Sequence, residues 1–121
     1  MPNTDKLEKL ILLLIRETTE GQIKWKANYV SRERLRGTDD VIADYFTTEF
    51  KGQEIAVFER RYKGYDPDSE TTYWTSADGF AFLQHGEITW ETEEQPLLGN
   101  LLKVAKESAA DIDGVLDSLL S

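Results

Sequence analysis

Between residues 41 and 91 the chain alternates stretches rich in β-branched and aromatic residues with two-residue breaks ending in glycine: Lys51-Gly52, Asp78-Gly79 and His85-Gly86. Such a dipeptide suits a tight hairpin, because both central residues of the favoured turn need a left-handed backbone, which glycine adopts without steric cost. A succession of these turns predicts an antiparallel meander. Residues 41–50 and 53–63 would pair about Lys51-Gly52, setting Phe46 against Val57, Tyr45 against Phe58, Asp44 against Glu59 and Glu49 against Glu54. Apolar residues then stand on both faces, so one face is expected to be covered and the other partly covered. Residues 64–70, containing Tyr-Asp-Pro-Asp-Ser, read as a turn-rich connection. Strands follow at 71–77, 80–84 and 87–91. Counting partners through turns at 78–79 and 85–86 puts Trp74, Ala81, Leu83, Ile88 and Trp90 on the core face. The same count puts Tyr73, Thr75, Phe80, Phe82, Thr89 and Glu91 on the opposite face.

At both ends the apolar period changes from two to about 3.6. Leu7, Leu10, Ile11, Leu14 and Thr18 share one helical face, widened by Leu13 and Ile15. Asn3 or Thr4 can cap this helix, Asp5 and Glu8 suit the positive end of its dipole, and Gly21 can end it. Leu98, Leu101, Leu102, Ala105, Ala109, Ile112, Leu116 and Leu119 repeat the pattern near the C-terminus, where Asp111-Ile-Asp-Gly can split the segment in two. Residues 23–30 read as a strand with Trp25 and Tyr29 on one face and Lys24 and Lys26 on the other, and residues 31–40 as a charged loop. The fold class is therefore α+β: an antiparallel meander of five or six strands, with an N-terminal helix and one or two C-terminal helices on one face. A chain of 121 residues makes one such domain, spanning 1–121.

Composition narrows the function classes. Without cysteine there is neither a disulfide framework nor a thiolate zinc site. The N-terminal apolar run, residues 10–15, is too short for a membrane span or a signal-peptide core, so a cytoplasmic protein with no membrane partner is expected. Fourteen basic residues against 23 acidic ones give a net charge of −9. From residue 64 to 102 there is no Lys or Arg, while Asp66, Asp68, Glu70, Asp78, Glu87, Glu91, Glu93 and Glu94 stand there. Such a surface repels phosphate backbones, which disfavours nucleic acid as a partner. The basic group Lys24, Lys26, Arg32, Arg34 and Arg36, interleaved with Trp25 and Tyr29, is short, and pairing with the acidic part of the same chain or of a second copy is its economical use.

Catalytic patterns are sparse. His85 is the single histidine and falls in a turn, leaving zinc and nucleophilic-triad arrangements without a base set. The Asp66-Pro-Asp-Ser-Glu stretch resembles the start of a calcium loop but lacks its later glycine, and Ala77 stands where the bidentate glutamate belongs. The facing pairs Asp44/Glu59 and Glu49/Glu54 could raise a carboxyl pKa for acid–base work, yet Arg60, Arg61 and Lys63 stand nearby. No glycine-rich phosphate loop is present and no cofactor is implied.

The opening helix followed by Thr18-Thr-Glu-Gly-Gln-Ile-Lys-Trp25 resembles the start of a recurrent kind of small uncharacterised bacterial protein, in which a helix leads through Thr-x-x-Gly-x-Ile-x-Trp into an antiparallel sheet and a helical tail. The resemblance implies a fold and no activity. The residues themselves point to a non-catalytic protein-interaction module, accessory or regulatory, with Tyr73, Phe80, Phe82, Thr75 and Glu91 as its candidate binding face for a protein partner or a second copy. The alternative is a small acidic chaperone or immunity-type inhibitor of a basic partner, and a carboxylate-based enzyme comes third.

Overall fold

A computed structural model describes residues 4–30, 37–93 and 95–121. Helix α1 (Thr4–Thr19) buries Leu7, Ile11, Leu14 and Thr18, the stripe its spacing dictates. Gly21, in the left-handed region, ends it with a Schellman pattern: the Gly21 amide donates to the Thr18 carbonyl and the Gln22 amide to that of Glu17. The strands are β1 (Lys26–Ala27), β2 (Val41–Phe50), β3 (Gln53–Asp66), β4 (Thr71–Gln84) and β5 (Glu87–Glu93). They form one antiparallel sheet in sequential order. Helices α2 (Leu98–Ala109) and α3 (Ile112–Leu120) follow, and the fold is α+β.

Helix α2 lies across β1 to β4, and α1 packs on α2. Leu98, Leu101, Leu102 and Ala105 of α2 meet Phe46, Ile55, Val57 and Phe80 of the sheet, continuous with Ile11 and Leu14 of α1. The other face carries a smaller cluster of Tyr45, Ala56, Phe58, Ala81 and Leu83, flanked by Val30, Ile42 and Ile88. Both faces of the first hairpin are thus apolar, one more extensively covered than the other.

The hairpin about Lys51-Gly52 has the expected register, with Phe46 opposite Val57, Tyr45 opposite Phe58 and Asp44 opposite Glu59. His85-Gly86 joins β4 to β5, and all four turn residues have positive φ. Residues 23–30 pair with β2 only at Lys26 and Ala27. Their ends are held by other bonds: the Trp25 amide donates to Ser108 Oγ of α2, Trp25 Nε1 to buried Thr18 Oγ1, and the Thr48 hydroxyl to the Lys24 carbonyl. Ile23 and Trp25 are drawn into the helix-covered core, which takes this segment out of a regular ladder. Of the 31–40 loop, residues 31–36, with Arg32, Arg34 and Arg36, lie outside the described residues, as do Asn3 and Glu94.

Asp78-Gly79 is not a turn. Residues 71–84 form a single strand, with unbroken pairing to β3 from Glu54–Leu83 to Asp66–Thr71. Gly79 stands opposite Phe58, whose ring occupies the space a Cβ would need, so the glycine permits a close approach rather than a reversal. Removing the supposed turn changes which residues share a face, since side chains alternate along one strand. Phe80 and Phe82 point to the helices, while Tyr73, Thr75, Ala81 and Leu83 point the other way. Trp74, expected in the core, is exposed; Leu83 and Ile88 belong to the smaller cluster, and Trp90 stacks on Phe82 at the margin of the larger one. Among the described residues no helix is long and apolar enough to cross a membrane.

Candidate interaction surface

Strands β3 and β4 together outrun β2 and β5. The pairing of β3 with β2 ends at Arg61 and that of β4 with β5 begins at Gly79, so residues 62–66 and 71–75 form a two-stranded ribbon beyond the sheet. At about 3.3 Å per residue it projects roughly 15 Å. Its tip is locally fastened: Asp66 Oδ1 accepts from the Asp68 amide at 3.0 Å and Oδ2 from the Ser69 hydroxyl at 3.0 Å, while Ser69 and Thr71 share a hydrogen bond of 2.7 Å. The Asp66 carboxylate is therefore turned into its own loop in an Asx arrangement. No group of three potential ligands among the described residues is placed to hold a metal ion.

Both ribbon faces carry aromatic rings. On one, Tyr62 pairs with Thr75 and Gly64 with Tyr73; the Tyr73 ring lies where a Cβ on Gly64 would be, and the Arg60 guanidinium sits 4.2 Å from the centroid of Tyr62. On the other, Lys63 pairs with Trp74, its Nζ 5.4 Å from the ring centroid, and Tyr65 pairs with Thr72. Tyr65, Tyr73 and Trp74 remain 59%, 52% and 56% exposed.

At the ribbon's root, Arg60 is fixed by two carboxylates. Its Nε and Nη2 donate to Glu93 at 2.7 and 2.9 Å, and Nη1 donates to Asp40 at 3.0 Å. Hydrogen bonding to Glu93, with Asp40 adding to it, holds this guanidinium far above its ordinary pKa against the opposing effect of burial. A cleft of about 540 Å³ opens there between Asp40, Ile42, Phe58, Arg60, Glu91 and Glu93.

The expected binding face is divided by the sheet. Phe80 is fully buried beneath the helices and Phe82 packs at the edge of the same core, whereas Tyr73, Thr75 and Glu91 stand on the opposite side. Only Tyr73 of its three aromatics is exposed. The sequence assigns Trp74 to the core face and Tyr65 to a turn-rich connection rather than to a binding surface, although the interleaved charges Arg61 and Lys63 signal a solvated stretch of strand. Of the acidic pairs, Asp44 and Glu59 do face each other, and Asp78 extends the row to β4. Lys106 of α2 lies 3.8 Å from Asp44, and the Arg61 Nε donates to Glu59 at 2.7 Å. Burial raises the Asp78 pKa, and Glu59 raises it further. Glu54, opposite Glu49, accepts from the Gly86 amide at 3.1 Å. Compared with protein families, curated proteins and solved structures, the chain matches none of them.

Proposed function

We propose that this domain is a non-catalytic protein-interaction module, accessory or regulatory in role, that engages a protein partner along the β3–β4 ribbon. The observation that carries the reading is the group of three exposed aromatic rings on a ribbon whose outer edges pair with no strand among the described residues. Open edges invite strand addition, and natural sheets usually blunt them. Aromatic rings bordered by polar groups are the common anchors of protein interfaces. The absence of cysteine fits a reducing cytoplasmic setting, and the excess of acid fits a protein partner better than nucleic acid.

A second reading, a small acidic chaperone or immunity-type inhibitor, is favoured by the ribbon tip, where Asp66, Asp68 and Glu70 stand in a stretch without a basic residue. It specifies a basic partner for the same ribbon.

The test is capture from native lysate with wild-type chain and with a Tyr65→Ser, Trp74→Ser double variant as baits. Both side chains are exposed, so the melting temperature should hold while the captured protein is lost. Equal capture by both baits would overturn the assignment to the ribbon. For a basic partner, Asp68→Gln with Glu70→Gln should weaken capture most at low salt.

A further inference from the structure

We propose that α3 pairs antiparallel with α3 of a second copy of this chain, making the protein a twofold dimer through a surface separate from the ribbon. Ile112, Val115, Leu116, Leu119 and Leu120 recur at helical spacing on one face, yet no residue of α3 is buried. Exposure runs from 45% at Ile112 to 85% at Leu120. An amphipathic helix of this kind stabilises a fold only when its stripe is covered, and among the described residues the stripe stays about half exposed or more.

The helix is nevertheless built with a defined start. Asp111 takes a left-handed conformation that separates α3 from α2, and its carboxylate accepts from the Gly114 amide. Gly114 fits this cap because a Cβ there would overlap the Asp111 carboxylate. The exposed stripe thus belongs to a capped helix.

A second copy fits it for three reasons. The stripe is centred on Leu116, four residues from Ile112 and four from Leu120, so antiparallel pairing sets Leu116 against its own equivalent and Ile112 against Leu120. That self-complementarity is what a twofold interface requires. The five side chains expose on the order of 500 Å², near the upper range for a patch left on a monomer. Two copies face to face cover at most on the order of 1,000 Å², the size of a weak, concentration-dependent interface. Finally, α3 holds Asp113 and Asp117 and no basic residue, which opposes docking on an anionic lipid surface.

Those rim carboxylates and a net charge of −9 per chain give the dimer a signature: association should tighten as salt screens the repulsion. The experiment is sedimentation of the full chain over a range of concentrations at low and high salt. A dimer that grows with concentration and with salt is expected, and Leu116→Glu with Leu119→Glu should raise its dissociation constant at least about tenfold, with the melting temperature of the dilute monomer unchanged. Because the chain has no cysteine, geometry can be read directly: under mild oxidation Leu116→Cys should cross-link two chains much faster than Ser118→Cys on the opposite side of the helix. A monomer at every concentration, a dimer that survives the double variant, one that loosens with salt, or equal cross-linking at 116 and 118 would each overturn the proposal. So would a monomer that co-sediments with phosphatidylserine vesicles. Loss of the dimer alone leaves capture by the ribbon intact, so the two readings fail separately.

Discussion

Asp78 shows how one side chain can work against the fold that holds it. Burial, and then repulsion from Glu59, raise its carboxyl above the ordinary value of 3.8. The folded chain therefore holds this proton more tightly than the unfolded chain, and stability falls as pH rises from the unfolded value through the folded one. The N-terminal turn of α2 lies close, with Asp78 Oδ2 3.2 Å from where a Cβ on Gly99 would stand. A helix dipole there returns about 0.3–1 kcal/mol of the cost, so the net effect is modest. Asp78→Asn should raise the melting temperature at pH 7, and the gain should vanish below about pH 3.8, where both states of the wild type carry the proton. A gain that persists in acid would show that amide packing, not charge, is responsible. Its neighbour Gly79 marks where reading the sequence fails for a physical reason. Lys51-Gly52 and His85-Gly86 are turns because each has two residues with positive φ between strands. Asp78-Gly79 has the same local appearance, but its glycine accommodates the Phe58 ring from the neighbouring strand, a contact that no local pattern encodes.

Elements with a strong period were legible, and those defined by tertiary contacts were not. The stripes of α1 and α2 and the first hairpin register follow from spacing alone, as does the break at Asp111. The 23–30 strand shrank to two residues because Trp25 and Ile23 are claimed by the helices rather than by β2. One unrecognised continuous strand then moved Phe80 and Phe82 from the supposed binding face into the core, and left Trp74 outside it. The candidate site was legible only through Tyr73; the ribbon that displays it exists because β3 and β4 outrun β2 and β5, and relative strand length depends on partners far away in sequence. The two face assignments have different energetic consequences. Phe80→Ala, at a fully buried position, should cost about 3–5 kcal/mol. Trp74→Ala should stay within about 0.5 kcal/mol, as for a surface site. Urea denaturation of the two variants measures both, and similar losses would mean that β4 is not continuous through Gly79.

At the scale of the whole molecule, stability is concentrated where layers meet and thins toward two extremities that carry the proposed contacts. The centre of the sheet, at residues 55–58 and 80–83, has apolar cover on both faces. The ribbon at 62–66 and 71–75 has its own cross-strand bonds, local ring contacts and one exposed ion pair to the body, Lys63 to Asp39 at 3.4 Å, and no residue of α3 is fully buried. Native proteins open regionally with free energies that range from near zero to the global value. Amides of the central sheet should therefore exchange with solvent only through global unfolding, typically about 5–15 kcal/mol above the native state. Those of the ribbon should exchange through local opening, several orders of magnitude faster. Hydrogen exchange followed by mass spectrometry separates these segments. The α3 amides add a second axis, because a helix closed by a partner copy opens only after dissociation. Their exchange should slow as protein concentration rises while that of the ribbon stays constant. Ribbon amides as slow as those of residues 80–83 would mean that the projecting strands are fastened to the body of the domain. Exchange in α3 that is fast and independent of concentration would leave its apolar stripe without the second copy assigned to it.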